Sequence, residues 1–157
     1  MQECLFCKII EKKVPTFIVY EDNFNLAFLD IKPRSKGMTI VVPKKHYESF
    51  DDDFENSFKT FQAALLIGKK LKKVLNPIFI SLSILPSEVK HFHIRLYPVF
   101  SDKLPIVEGN PVPISEEELK KLAEEIRSVK IIEEKKEEKI KRSEKEVEWI
   151  KRYWERA

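Results

Sequence analysis

Apolar positions change period several times along the chain, and each change predicts an element. Residues 4–12 (CLFCKIIEK) read as a short helix or turn that carries both cysteines. Thr16–Tyr20 and Asn25–Asp30 are apolar and β-prone on either side of Glu21-Asp22-Asn23, a hairpin pattern. Met38–Val42 is an unbroken apolar run, opened by Gly37 after the turn Pro33-Arg34-Ser35-Lys36 and closed by Pro43, so it reads as a buried strand. Asp51-Asp52-Asp53 offers an N-cap, after which Phe54, Phe58, Phe61, Leu65 and Leu75 hold a helical period to about Leu75. Ile78–Leu85 is apolar with Ser81 and Ser83 in alternate places, and Pro86 ends it; His91–Tyr97 alternates as well. Ser115 and Glu118 have the spacing of a capping box for a helix through about Val129. Strands dominate the first half with one long helix among them, which predicts an antiparallel α+β domain.

Composition narrows this picture. With 157 residues, 43% of them hydrophobic, the chain can bury one sizeable core. It holds only 3 Gly, and neither G-x-x-x-x-G-K-[ST] nor G-x-G-x-x-G occurs, which removes the P-loop and dinucleotide-fold readings. No apolar run approaches the ~20 residues of a membrane span, and Met-Gln-Glu-Cys lacks the form of a signal peptide. Two cysteines without a secretion signal are expected to be reduced thiols, so a cytoplasmic protein is the expectation. The net charge of +3 does not by itself argue for nucleic acid.

The charge is uneven. From Lys130 to Ala157, ten Lys/Arg and eight Glu make up most of the segment, which also holds both tryptophans, Trp149 and Trp154. Ile140, Val147, Ile150 and Trp154 fit one narrow helical stripe. We therefore expect a main domain over residues 1–112 and a helical extension over 113–157, highly charged from about 130. Its thin stripe docks on its own domain or on a protein partner.

The strand HFHIRLYP (residues 91–98) holds two of the three histidines. A period of two places His91, His93, Arg95 and Tyr97 on one face, and Phe92, Ile94 and Leu96 on the other. Two imidazoles and a guanidinium are thereby aligned along roughly 13 Å of strand, at ~3.3 Å per residue. Imidazole near neutral pH serves as nucleophile, base or ligand, and Arg beside it suits a phosphate oxyanion. The plainer alternative is a polar strip facing solvent. Cys4 and Cys7 form C-x-x-C, a spacing that suits two thiolates on one Zn²⁺, a redox pair or two buried small hydrophobes. His46 follows the strand that ends at Pro43, and one of the strand histidines would complete Cys₂His₂.

The run CLFCKIIEKKVP…YEDNFNLAFLDIKPRSKGMTIVVPKKHYESF, followed at a distance by VKHFHIRLYP, resembles the histidine-triad (HIT) superfamily of nucleotide hydrolases and transferases over about residues 3–100. The resemblance implies an α+β fold: a five-stranded antiparallel sheet, one long helix, one or two short helices, and usually a homodimer. It implies a purine nucleotide or nucleotide ester bound with Asp30 on the ribose and Phe6, Ile9, Val14, Phe28 and Leu29 near base and sugar. His93 aligns with the middle histidine of H-x-H-x-H, the nucleophile that attacks the α-phosphate and carries a nucleotidyl group. Zinc-containing members imply Cys4, Cys7, His46 and His91 as ligands of a structural zinc.

The sequence departs from that pattern at definite places. Arg95 stands where the third histidine is expected, and Met38 where a histidine usually follows the Ser-Lys-Gly turn. The stretch Ser83–Val89 has no Gly, Asn or Gln, and Ser87 stands in place of a phosphate-contacting Gln, beside Glu88. Two readings result. One is a nucleotidyl hydrolase or transferase, with His93 and Arg95 as catalytic residues, acting on a nucleoside phosphoramidate or dinucleoside polyphosphate. The other is a non-catalytic, zinc-stabilised module that binds a nucleotide or a protein. Nucleic-acid end processing ranks below both, because the tail is mixed in sign.

Overall fold

In the computed structural model, residues 4–85, 87–101 and 111–130 are described. The predicted helix at 140–154 and its two tryptophans lie outside them. Five strands, β1 (Ile18–Glu21), β2 (Asn25–Leu29), β3 (Thr39–Pro43), β4 (Phe79–Ser83) and β5 (Ile94–Val99), form one antiparallel sheet in the order β1-β2-β3-β5-β4. Among the described residues three helices accompany it: α1 (Leu5–Ile10), α2 (Phe54–Leu75) and α3 (Glu116–Ser128). The α+β architecture is the one expected.

Local chemistry explains the boundaries. The Asp22 carboxylate accepts from the backbone N–H groups of Phe24 and Asn25, at 2.7 and 2.6 Å, and so closes the β1–β2 hairpin. Asp53 caps α2 through the N–H of Asn56, and Asn76 ends it in the left-handed region. Ser115 and Glu118 form the complete capping box of α3.

The sheet has a core on each face. Against one, α2 and α3 bury Ala27, Leu29, Val41, Ile94 and Leu96 with Ile67, Leu71, Leu122 and Ile126. α3 contributes Leu119, Leu122, Ala123 and Ile126 to this core. On the other face α1 lays Phe6 and Ile9 over Leu26, Phe28, Ile40 and Val42.

The helical period of α2 is as read, but its buried face is different. Ser57, Thr60, Ala63, Ala64, Ile67 and Leu71 meet the sheet, whereas Phe54 and Phe58 are 71% and 57% exposed, and Phe61 and Leu65 are exposed too. Small residues let the helix backbone approach the strands closely, and the Thr60 hydroxyl meets Asn25 Oδ1 of β2 at 2.7 Å.

Candidate functional site

The site is built where α1, the β3–α2 loop and the start of β5 converge. Cys4 is the N-cap of α1 and Cys7 lies in its first turn, so the helix places both thiols on one side. His46 follows β3, and its neighbour Tyr47 fastens the loop to β5: the Tyr47 carbonyl accepts from Phe92 N–H at 2.6 Å, and the two rings stack at 5.5 Å. His46 and His91 are thereby brought side by side, with ring centroids 4.9 Å apart.

Four side chains converge there. The ligand atoms of Cys4, Cys7, His46 and His91 all lie within 4.8 Å of one another. His91 Nδ1 is 3.4 Å from Cys4 Sγ, 3.6 Å from Cys7 Sγ and 3.2 Å from His46 Nδ1, and His46 Nδ1 is 3.3 Å from Cys7 Sγ. A tetrahedral ion with ordinary Zn–N and Zn–S bonds sets N···N at about 3.3 Å and N···S at about 3.6 Å. The four groups fit such an ion. The other nitrogen of His91, Nε2, donates to the Pro43 carbonyl at 2.9 Å, which leaves Nδ1 as the lone pair that faces the sulfurs. Burial holds the His91 imidazole down at about 4, and burial together with the Cys4 thiol pushes Cys7 up to about 11. An ion bound here takes neutral imidazoles and displaces thiol protons.

His91 and His93 are not solvent-facing: they are 2% and 4% exposed, covered by the edge of Phe6, whose ring centroid lies 5.9 and 5.2 Å from theirs. Both precede the ladder of β5, which begins at Ile94 rather than His91. His93 Nδ1 donates to the His91 carbonyl at 2.8 Å, so its Nε2 carries the lone pair and has no hydrogen-bond partner. Burial, aided by the Arg95 charge, holds this imidazole below the usual histidine range.

The sheet register places a row of facing residues across the α1 side: Ile18, Phe28, Ile40, Arg95 and Ser83. Its first three members belong to the apolar cluster that holds Phe6, Ile9 and Val14, and its last two are polar. Asp30 follows β2, and its carboxylate accepts from the N–H of Lys32 at 2.8 Å. Leu29, expected beside Phe28 in the pocket, faces the opposite way into the α2 core, because neighbouring residues on a strand point to opposite faces. Ser87 turns its hydroxyl onto the Val89 carbonyl at 3.1 Å, and Glu88 is exposed. Ser83 was not singled out from the sequence. Its signal was a polar residue at an alternate position of an otherwise apolar strand.

The HIT domain model matches residues 11–101. An uncharacterised HIT-like protein of Methanocaldococcus jannaschii is 44% identical over 100 residues, covering 60% of this chain and 78% of its own. The adenosine 5'-monophosphoramidase of Schizosaccharomyces pombe is 35% identical over 131 residues, covering 80% and 96%. Among solved structures, the HIT-like protein involved in cell-cycle regulation from Bartonella henselae superposes with a TM-score of 0.72 at 30% identity, over 82% of this chain and 96% of that one.

Proposed function

Because the chain belongs to the HIT domain family, we propose that it is a nucleotide-binding enzyme that cleaves its substrate at the α-phosphate through a nucleotidyl-histidine on His93. The observation that carries this reading is the unpartnered, buried Nε2 of His93, whose lone pair is fixed by the bond from Nδ1 to the His91 carbonyl. An imidazole held neutral by burial is a competent nucleophile. The named activity of the fission-yeast relative, a monophosphoramidase, is of the same hydrolytic kind.

Each group has a part in the reaction. The apolar side chains of Phe6, Ile9, Val14 and Phe28 receive base and sugar, and Asp30 accepts from the ribose hydroxyls. His93 attacks phosphorus, and Arg95 steadies the charge on the phosphoryl oxygens. Cys4, Cys7, His46 and His91 hold a structural zinc. Bound by these four residues, such an ion would be structural, since its ligands come from α1, the β3–α2 loop and His91, whose carbonyl in turn accepts from His93 Nδ1.

The protein acts as a homodimer. Strand β4 is a sheet edge with exposed Phe79 and Leu82, and α2, whose Gly68 lies over Ile80 of that strand, exposes Phe54, Phe58 and Leu65. An open edge beside an apolar stripe needs covering.

The test is to trap the intermediate. Brief incubation with an adenine nucleotide substrate, acid-free quenching and mass spectrometry should find a nucleotidyl group on the His93 peptide. His93→Ala should lose the adduct and at least about 10³-fold in turnover. Wild-type protein that binds nucleotide and zinc but shows neither adduct nor turnover would instead be the binding module.

A further inference from the structure

Among the described residues, three buried polar atoms on the α1-facing side of the sheet have no hydrogen-bond partner: His93 Nε2, Arg95 Nε and Ser83 Oγ. They are adjacent by register. Ser83 of β4 faces Arg95 of β5 directly, and Arg95 follows His93 by two residues on the same face, about 7 Å along the strand. On its other side Arg95 faces Ile40 of β3, the end of the apolar half of the row. The order across this face of the sheet is therefore apolar residues, then the imidazole and guanidinium, then a hydroxyl on the edge strand. Buried donors left without partners are costly unless a ligand satisfies them.

We propose that Arg95 and Ser83 form a leaving-group subsite that selects nucleotides whose α-phosphorus carries a phosphate-type leaving group, that is, phosphoanhydrides, and disfavours amide-linked ones. The proposal rests on the reading of His93 as nucleophile. In the first step His93 Nε2 forms a bond to the α-phosphorus while the bond to the bridging oxygen breaks. The electron pair leaves on that oxygen, and the departing phosphate needs no proton. Arg95 and Ser83 donate to its growing charge. In the second step water oxygen bonds to phosphorus, the P–N bond returns its pair to Nε2, and one water proton passes to solvent. An amine leaving group differs at the first step: it must collect a proton as it departs, and a guanidinium has none to give near neutrality. A histidine at this position could supply one.

The experiment compares two probes on purified full-length protein, diadenosine tetraphosphate and adenosine 5'-phosphoramidate. We expect kcat/KM for the anhydride to exceed that for the amide by about 100-fold, the size of effect that one well-placed charge-stabilising donor supplies. Arg95→Gln should slow both reactions, because the phosphoryl contact is lost in each, and should lower the anhydride-to-amide ratio by about 100-fold. Arg95→His should raise the amide rate while lowering the anhydride rate, and Ser83→Ala should lower the anhydride rate by about tenfold. Arg95→Lys, which keeps the charge, should retain the preference and shows that the fold tolerates substitution there. Equal wild-type rates on the two probes, or an Arg95→Gln ratio matching wild type, overturn this proposal and leave the nucleophile reading standing. Absence of turnover on both, with no adduct on His93, overturns that reading and this one with it.

Discussion

One carbonyl sets the tautomer of His93. The backbone oxygen of His91 accepts a hydrogen bond from Nδ1, the Phe6 ring centroid lies 5.2 Å from that of His93, and the remaining nitrogen is buried without a partner. Gly37 shows the same dependence of a site on single positions. It adopts φ +81° in the turn before β3, and a Cβ there would collide with Leu75 Cδ1 at the end of α2. Gly37→Ala is expected to cost about 1–3 kcal/mol, mainly through the strained backbone, read as a lowered urea midpoint with unchanged helix content. An unchanged midpoint would show that the turn can relax. The glycine, the histidines and the cysteines were all legible as residues, because rare residue types at fixed spacings stand out. Leu29 and Ser83 were not. Which face each takes depends on the register of neighbouring strands, and no spacing within one segment contains that.

Among the elements, α2 carries the clearest lesson. Its length and its Asp53 cap follow from the sequence, but the aromatic positions that carry its period are not its buried face. Burial selected the small residues Ala63 and Ala64, and left Phe54 and Phe58 outside. If those side chains meet a second copy, Phe58→Glu should convert a dimer into a folded monomer by sedimentation. A wild-type monomer would refute the dimer. The cap has its own pH signature. Lys45, 2.6 Å away, and then Asn56 hold the Asp53 carboxyl down at about 2, below its unfolded range near 4. A lowered carboxylate stabilises above its unfolded pKa, and that stability fades as pH falls through about 2. Asp53→Ala should therefore unfold at lower urea than wild type at pH 7, and the gap should close near pH 2. A gap independent of pH would assign the effect to something other than the charged cap.

At the scale of the whole molecule, the Cys4, Cys7, His46 and His91 cluster, which could hold a metal ion, joins segments far apart in the chain: the start of α1, the loop after β3, and the entry to β5. An ion present at a thousandfold above its Kd contributes about 4 kcal/mol. Removing zinc with a chelator should thus lower Tm by about 10 °C, and Cys4→Ser and His91→Ala should each abolish the metal found in untagged protein. Metal-free protein with unchanged Tm would refute the zinc. No helix among the described residues is long and apolar enough to cross a membrane. By itself the sequence determined the α+β class, the element order, the N-caps of α2 and α3, and the four residues of the Cys/His cluster, since period, turn chemistry and rare residues are local properties. Only the tertiary structure decided that Cys4, Cys7, His46 and His91 meet, that both strand histidines are buried beneath Phe6, and that Ser83 stands opposite Arg95. Those are facts of packing and strand register, set by how two cores close on the two faces of one sheet.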